Sequence, residues 1–161
     1  MQAPKIYSTA VDPAWIDYNG HLRDGYYGVI MSLACDALMD QLGIHEGYRR
    51  ETGCTLFTLE QHQHFLHEVK GSDRVDVRVR ILAADRKRMH AAFDFYCDRY
   101  ADPVAAGEMM LLHVHQGETT GSAPFPAPIM SAIEAMVSAT AGIAAPAPGS
   151  RRIELRKRSG G

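Results

Sequence analysis

The chain has 161 residues, a length that favours one domain, and a chain of that size buries roughly 68–70% of the surface it exposes when unfolded. Hydrophobic residues make up 46% and charged residues 22%, which excludes a disordered or collagen-like chain. The formal net charge is −2, but Arg151 to Arg158 holds five basic residues and one acidic, leaving −6 for the remainder. Such an acidic body excludes a general affinity for nucleic acid, and a phosphate-bearing ligand needs local basic groups.

Lys5 to Ala10 reads as a short first strand, preceded by no apolar signal-like segment. A loop with Pro13, Trp15, Asn19 and Gly20 follows. From about Asp24 the pattern turns helical: Tyr26, Val29, Ile30, Leu33, Ala34, Ala37, Leu38 and Leu42 form one apolar stripe. Asp24 suits a first turn and Gly43 a stop. Met31, Cys35 and Met39 lie off the stripe, and a helix apolar on more than one face is deeply buried.

After a polar link, Cys54 to His67 is β-like with mixed polarity. Arg74 to Leu82 alternates cleanly, with Val75, Val77, Val79 and Ile81 apolar; Met89 to Asp98 does the same, and Val104 to His115 is a further strand. Asp85-Arg86-Lys87-Arg88 reads as a hairpin turn. These runs predict an antiparallel meander with one face packed. Pro124, Pro126 and Pro128 end the sheet, and Ile129 to Thr140 reads as a short helix. The domain is expected over residues 1–140, with an Ala/Pro/Gly linker and basic tail over 141–161. No apolar run approaches the ~18 residues of a membrane span. Cys35, Cys54 and Cys97 are odd in number and widely spaced, which predicts reduced thiols in a cytoplasmic protein.

The order strand, buried helix, strands, short helix needs a sheet that wraps the helix. At the loop-to-helix junction stands Asp17-Tyr18-Asn19-Gly20-His21, with Tyr27 after it. This Asp-x-x-Gly-His signature resembles that of the 4-hydroxybenzoyl-CoA thioesterase-like family over about Lys5 to Gly117. The resemblance implies an α+β hotdog fold: about five antiparallel strands around a long central helix, with a short C-terminal helix. It implies an acyl-CoA substrate, no cofactor beyond the coenzyme A of that substrate, and a homodimer or homotetramer. The stretch Trp15 to His21 with Tyr26-Tyr27 and Cys35-Asp36-Ala37-Leu38 is similar to a branch linked to carnitine breakdown, whose members hydrolyse betainyl-CoA.

In the family the matching Asp is nucleophile or general base, which assigns that role to Asp17. A carboxylate can attack a thioester carbonyl or deprotonate water; it can equally serve only to shape the Asp-Tyr-Asn-Gly turn. His21 is a candidate to orient Asp17. Gly20 permits close backbone approach, and the amides near Asp24 and Gly25 offer an oxyanion site. The family often has Asn where this chain has Arg23 and Asp24. Glu60 and His62 share a strand face with His64, and the resemblance implies that Glu60 assists from the neighbouring subunit. Trp15, Tyr18, Asn19, Tyr26 and Tyr27 complete the expected substrate contacts, with aromatic faces suited to a trimethylammonium group.

Rival readings remain open. A hotdog enoyl-CoA hydratase carries a motif one residue longer, and a non-catalytic acyl-CoA-binding protein would share the fold. His62-Gln63-His64 followed by Glu68, with His113 and His115, resembles a first cupin metal motif, although no second motif follows and no metal is expected.

Overall fold

The computed structural model describes residues 2–145 together with Gly149 and Ile153. Most of the expected basic tail, Arg151 to Arg158, therefore lies outside the described residues. The elements are β1 (Lys5–Ala10), a 3-10 turn (Pro13–Trp15), α1 (Asp24–Gln41), α2 (Glu46–Thr52), β2 (Cys54–Phe65), β3 (Arg74–Ala84), β4 (Arg88–Tyr96), β5 (Ala105–His115), β6 (Gly121–Ser122) and α3 (Ala127–Thr140). The strands form one antiparallel sheet in the order β1-β3-β4-β5-β2, with the two-residue β6 on β5. The α+β hotdog arrangement is as expected, with six strands rather than about five.

The sheet's inner face carries Val75, Val77, Val79, Ile81, Met89, Phe93, Phe95, Met109 and Leu111, all buried. They pack with α1 and with Ile129, Ile133 and Met136 of α3 in one core. Fully burying a side chain such as Leu38 or Ile30 stabilises the fold by about 1.5–3 kcal/mol. Gly107 is needed here because a Cβ would run into Met31 Sδ.

The buried face of α1 is Tyr27, Ile30, Met31, Ala34, Cys35, Leu38 and Met39. This corrects the stripe expected from the sequence: Met31, Cys35 and Met39 point inward, whereas Val29 and Leu33 are exposed. Both faces are apolar, so periodicity alone does not choose between them. The helix stops where Gly43 predicts. Gly43 has φ 89°; its N–H donates to Asp40 O, and Ile44 N–H donates to Met39 O at 2.8 Å. That is a Schellman motif, sealed by the fully buried Ile44.

The polar link after Gly43 contains α2, a helix not expected from the sequence. His45 Nδ1 caps it by accepting from Tyr48 N–H, and Gly53 closes it in the left-handed region. Tyr48 Oη lies 2.9 Å from Nε2 of the buried His113, whose Nδ1 lies 2.9 Å from Ala123 O. His113 thus ties α2 to the sheet's end.

Candidate active site

The loop before α1 is a miniature hairpin. Ile16 bridges Leu22, Asp17 N–H donates to His21 O at 2.8 Å, and Arg23 N–H donates to Trp15 O at 3.0 Å. Gly20 sits at the tip with φ 78°, a conformation that glycine adopts without steric cost. Asp17 Oδ1 accepts from Asn19 N–H at 2.8 Å and from His21 N–H at 3.2 Å. The His21 bond is the main cause, and the Asn19 bond a further one, that holds the Asp17 carboxyl below its ordinary value. Turn formation therefore occupies one carboxylate oxygen.

This hairpin is docked on the segment between β2 and β3. Leu22 N–H donates to Val69 O at 2.7 Å, and His21 pairs with Lys70 as an antiparallel bridge. Arg99 braces that segment: its Nη2 donates to Glu68 O at 3.1 Å and lies 2.9 Å from Asp73 Oδ2. The same Asp73 oxygen accepts from Lys70 N–H.

A cavity of about 560 Å³ opens here. Among the expected site residues it brings together Asp17, Tyr18, His21, Asp24 and Tyr27, and it adds Arg23, Phe65, His67 and Glu68. Tyr18 is 94% exposed at the rim. Tyr27 is buried, edge-on to Phe65 at 5.1 Å, and burial pushes its hydroxyl up to about 12. The Gly25 N–H, expected as a free oxyanion donor, instead donates to Asp24 Oδ1 at 2.8 Å. An incoming oxyanion would have to displace that carboxylate.

Several expected residues stand elsewhere. Trp15 and Tyr26 stack on each other, with centroids 5.3 Å apart, and neither lines the cavity. Asn19 and Gly20 are exposed in the turn. Glu60 pairs with Met110, and His62 with Glu108. These partners lie on the face opposite α1, beside the His90–Glu108 pair. Besides Phe65, the β2 side chains turned toward α1 include Gln61 and Gln63, which approach the space beside Gly28. The structure thus does not bring Glu60 or His62 to Asp17 within the chain. Nor does it assemble the cupin-like trio: Glu68 turns to His21 instead, with Oε2 2.6 Å from His21 Nε2. Among the described residues no three His, Cys, Asp or Glu side chains converge as metal ligands, and no helix is long and apolar enough to cross a membrane.

Glu68 lines the cavity although it is not among the expected site residues and stood out in the sequence only within the disfavoured cupin-like pattern. The available signal was its position just past a β-like run; its partner is distant in sequence.

Residues 11–133 match the family model described as the thioesterase-like superfamily. The chain is 44% identical over 138 residues to a betainyl-CoA thioesterase of Pseudomonas aeruginosa, covering 86% of each protein. It is 30% identical to an L-carnitine dehydrogenase/betainyl-CoA thioesterase of Rhizobium meliloti, over 95% of this chain but only 30% of that longer protein. Among solved structures, a Pseudomonas putida KT2440 protein assigned to the thioesterases superposes with a TM-score of 0.82 at 39% identity, covering 98% of this chain and 99% of that one. A Staphylococcus aureus protein solved in complex with CoA superposes with a TM-score of 0.86 at 24% identity, covering 97% and 98%, and shares the fold. The Asp17 hairpin, its docking at the head of the buried helix and these matches lead to one assignment: the chain belongs to the thioesterase-like superfamily.

Proposed function

We propose that this chain is an acyl-CoA thioesterase whose substrate is betainyl-CoA, hydrolysed to glycine betaine and coenzyme A. The observation that carries the proposal is the cavity in which the Asp17 hairpin meets the start of α1, in a chain so similar to a betainyl-CoA thioesterase. Asp17 provides the carboxylate that attacks the thioester carbonyl or draws a proton from water. Its Oδ1 holds the turn, so Oδ2 is the oxygen assigned to the chemistry. The acyl group's cation fits the lining: besides two histidines, the charged residues are Asp17, Asp24 and Glu68 against Arg23, with aromatic Tyr18, Tyr27 and Phe65. A cation over an aromatic face contributes roughly 0.5–2 kcal/mol. This assignment leaves Glu60 outside the catalytic set.

The functional unit in the proposal is a homodimer joined along β2. Among the described residues that strand ends the sheet order, and an edge of twelve residues with no further strand beside it there is a template for a second copy. Exposed Phe57, Leu59, Val29 and Leu33 supply apolar surface on β2 and α1. The test of function is free-thiol release from a panel of acyl-CoAs. Betainyl-CoA is expected to rank first; no thiol release from any acyl-CoA would overturn the proposal.

A further inference from the structure

The contact between His21 and Glu68 joins two segments that are distant in sequence and meet at the cavity. His21 Nε2 lies 2.6 Å from Glu68 Oε2, and the other carboxylate oxygen lies 3.5 Å from Lys70 Nζ. The backbones beneath are locked as well, through the His21–Lys70 bridge, the Leu22–Val69 bond and the Arg99 brace on Glu68 O. The fold therefore fixes the two backbones opposite each other, and the side chains, 37% and 41% exposed, meet at the cavity's rim. A carboxylate on one imidazole nitrogen fixes the tautomer: Nε2 carries the proton it donates, and Nδ1 keeps the lone pair. His21 and Glu68 line the same cavity as Asp17.

Resting on the thioesterase proposal, we infer that Glu68 is a positioning residue that holds His21 as the base for the hydrolytic water. The water O–H bond breaks and its proton passes to His21 Nδ1. This role belongs to the route in which Asp17 is the nucleophile: there the Asp17 oxygen bonds to the acyl carbon first, the C–S bond breaks, and the thiolate takes the electron pair. The hydroxide oxygen then bonds to the acyl carbon of the Asp17 acyl-enzyme. The tetrahedral adduct collapses with loss of the C–O bond to Asp17, whose carboxylate takes the electron pair. The proton on His21 neutralises the thiolate released in the first step. Thioester and water become acid and thiol. Glu68 faces the developing imidazolium and stabilises it without itself taking the proton, the logic of a carboxylate behind a catalytic histidine.

The test is a double-mutant cycle with Glu68→Gln and His21→Asn, read by steady-state turnover of betainyl-CoA, beside ¹⁵N NMR of the His21 ring in the wild type and Glu68→Gln. Glu68→Gln is expected to lower kcat by about tenfold with KM within roughly threefold, the pattern of a lost transition-state interaction. In the His21→Asn background the same change is expected to cost less than about twofold, because the two act as a unit. The neutral His21 ring is expected as the Nε2–H tautomer in the wild type and as a mixture in Glu68→Gln. An equal loss in both backgrounds would overturn the inference and leave Glu68 as a loop brace; a tautomer that ignores the substitution, or a change confined to KM, would also overturn it. The NMR arm needs no substrate. A wild-type protein that hydrolyses no acyl-CoA defeats the functional proposal, and the tautomer still decides whether Glu68 positions His21.

Discussion

Asp17 and His21 are joined twice: Asp17 N–H donates to His21 O at 2.8 Å, and Asp17 Oδ1 accepts His21 N–H at 3.2 Å. The residue assigned to chemistry is thus also the residue that shapes its own loop. Replacing it must distinguish those duties, and an isosteric amide does so because its oxygen can accept the same two N–H groups.

Asp17→Asn is therefore expected to keep the fold, with an unfolding midpoint within about 3 °C of wild type. Its acyl-CoA turnover is expected to fall by at least ~10²-fold, the lower range for an acid–base or nucleophilic group. Turnover within a few-fold of wild type would reduce Asp17 to a turn former.

The pH dependence follows from the same bonds. The carboxyl of Asp17 is held below its ordinary value, so its charged form persists to lower pH in the folded state than in the unfolded one. Its contribution to stability is complete above the unfolded value near ~4 and is lost as pH falls through the lower folded value. The ratio of wild-type to Asp17→Asn turnover is accordingly expected to stay flat from pH 8 to 5. Asp85 behaves alike at the β3–β4 turn: chiefly its Arg88 side-chain bond, with the Lys87 and Arg88 N–H groups, lowers it to about 2. The stability gap between wild type and Asp85→Asn should narrow only below about pH 4 in urea titrations.

On the sheet's outer face, Arg80 Nε and Nη2 grip the two oxygens of Asp94 at 3.1 Å, with both side chains only 5% exposed. Burial, more than Arg80 offsets, raises the Asp94 carboxyl above its ordinary value. Asp94→Ala leaves a buried guanidinium unpaired and is expected to cost about 3–5 kcal/mol, whereas Arg80→Met with Asp94→Leu is expected to cost far less. Denaturant midpoints of the three variants check this; equal losses in single and double variants would contradict it.

Light scattering is expected to give a mass of at least two 17.8 kDa chains. Leu33→Glu, which puts a charge on the exposed apolar face of α1, is expected to shift the protein toward monomer. A fully active monomer would remove β2 pairing from the proposed functional unit.

Substrate choice is tested by a neutral isostere. 3,3-Dimethylbutanoyl-CoA matches betainyl-CoA in shape and lacks only the charge. A preference of about tenfold or more for the cation in kcat/KM is expected, since each 1.4 kcal/mol is a factor of ten. Equal specificity constants would leave a thioesterase without the betaine assignment.

The strict alternation of Arg74 to Leu82 and Met89 to Asp98 determined by itself which side chains face the core, because an apolar residue at every second position has one stable orientation. Asp17-Tyr18-Asn19-Gly20-His21 likewise determined its own turn, since that turn is closed by neighbours in sequence. The tertiary structure decided the rest. α1 is apolar on both sides, and only packing against Gly107 and the inner strands selects the Met31 face. β2 lacks apolar alternation because polar Gln61 and Gln63 stand on its α1-facing side, and its register shift between Thr58 and Glu60 is set by pairing with β5; that pairing sends Glu60 and His62 outward and Gln61 and Gln63 toward α1. Glu68 reaches His21 only because the bridge between Lys70 and His21 joins two segments 49 positions apart, and a contact made across that distance has no local pattern by which a sequence could announce it.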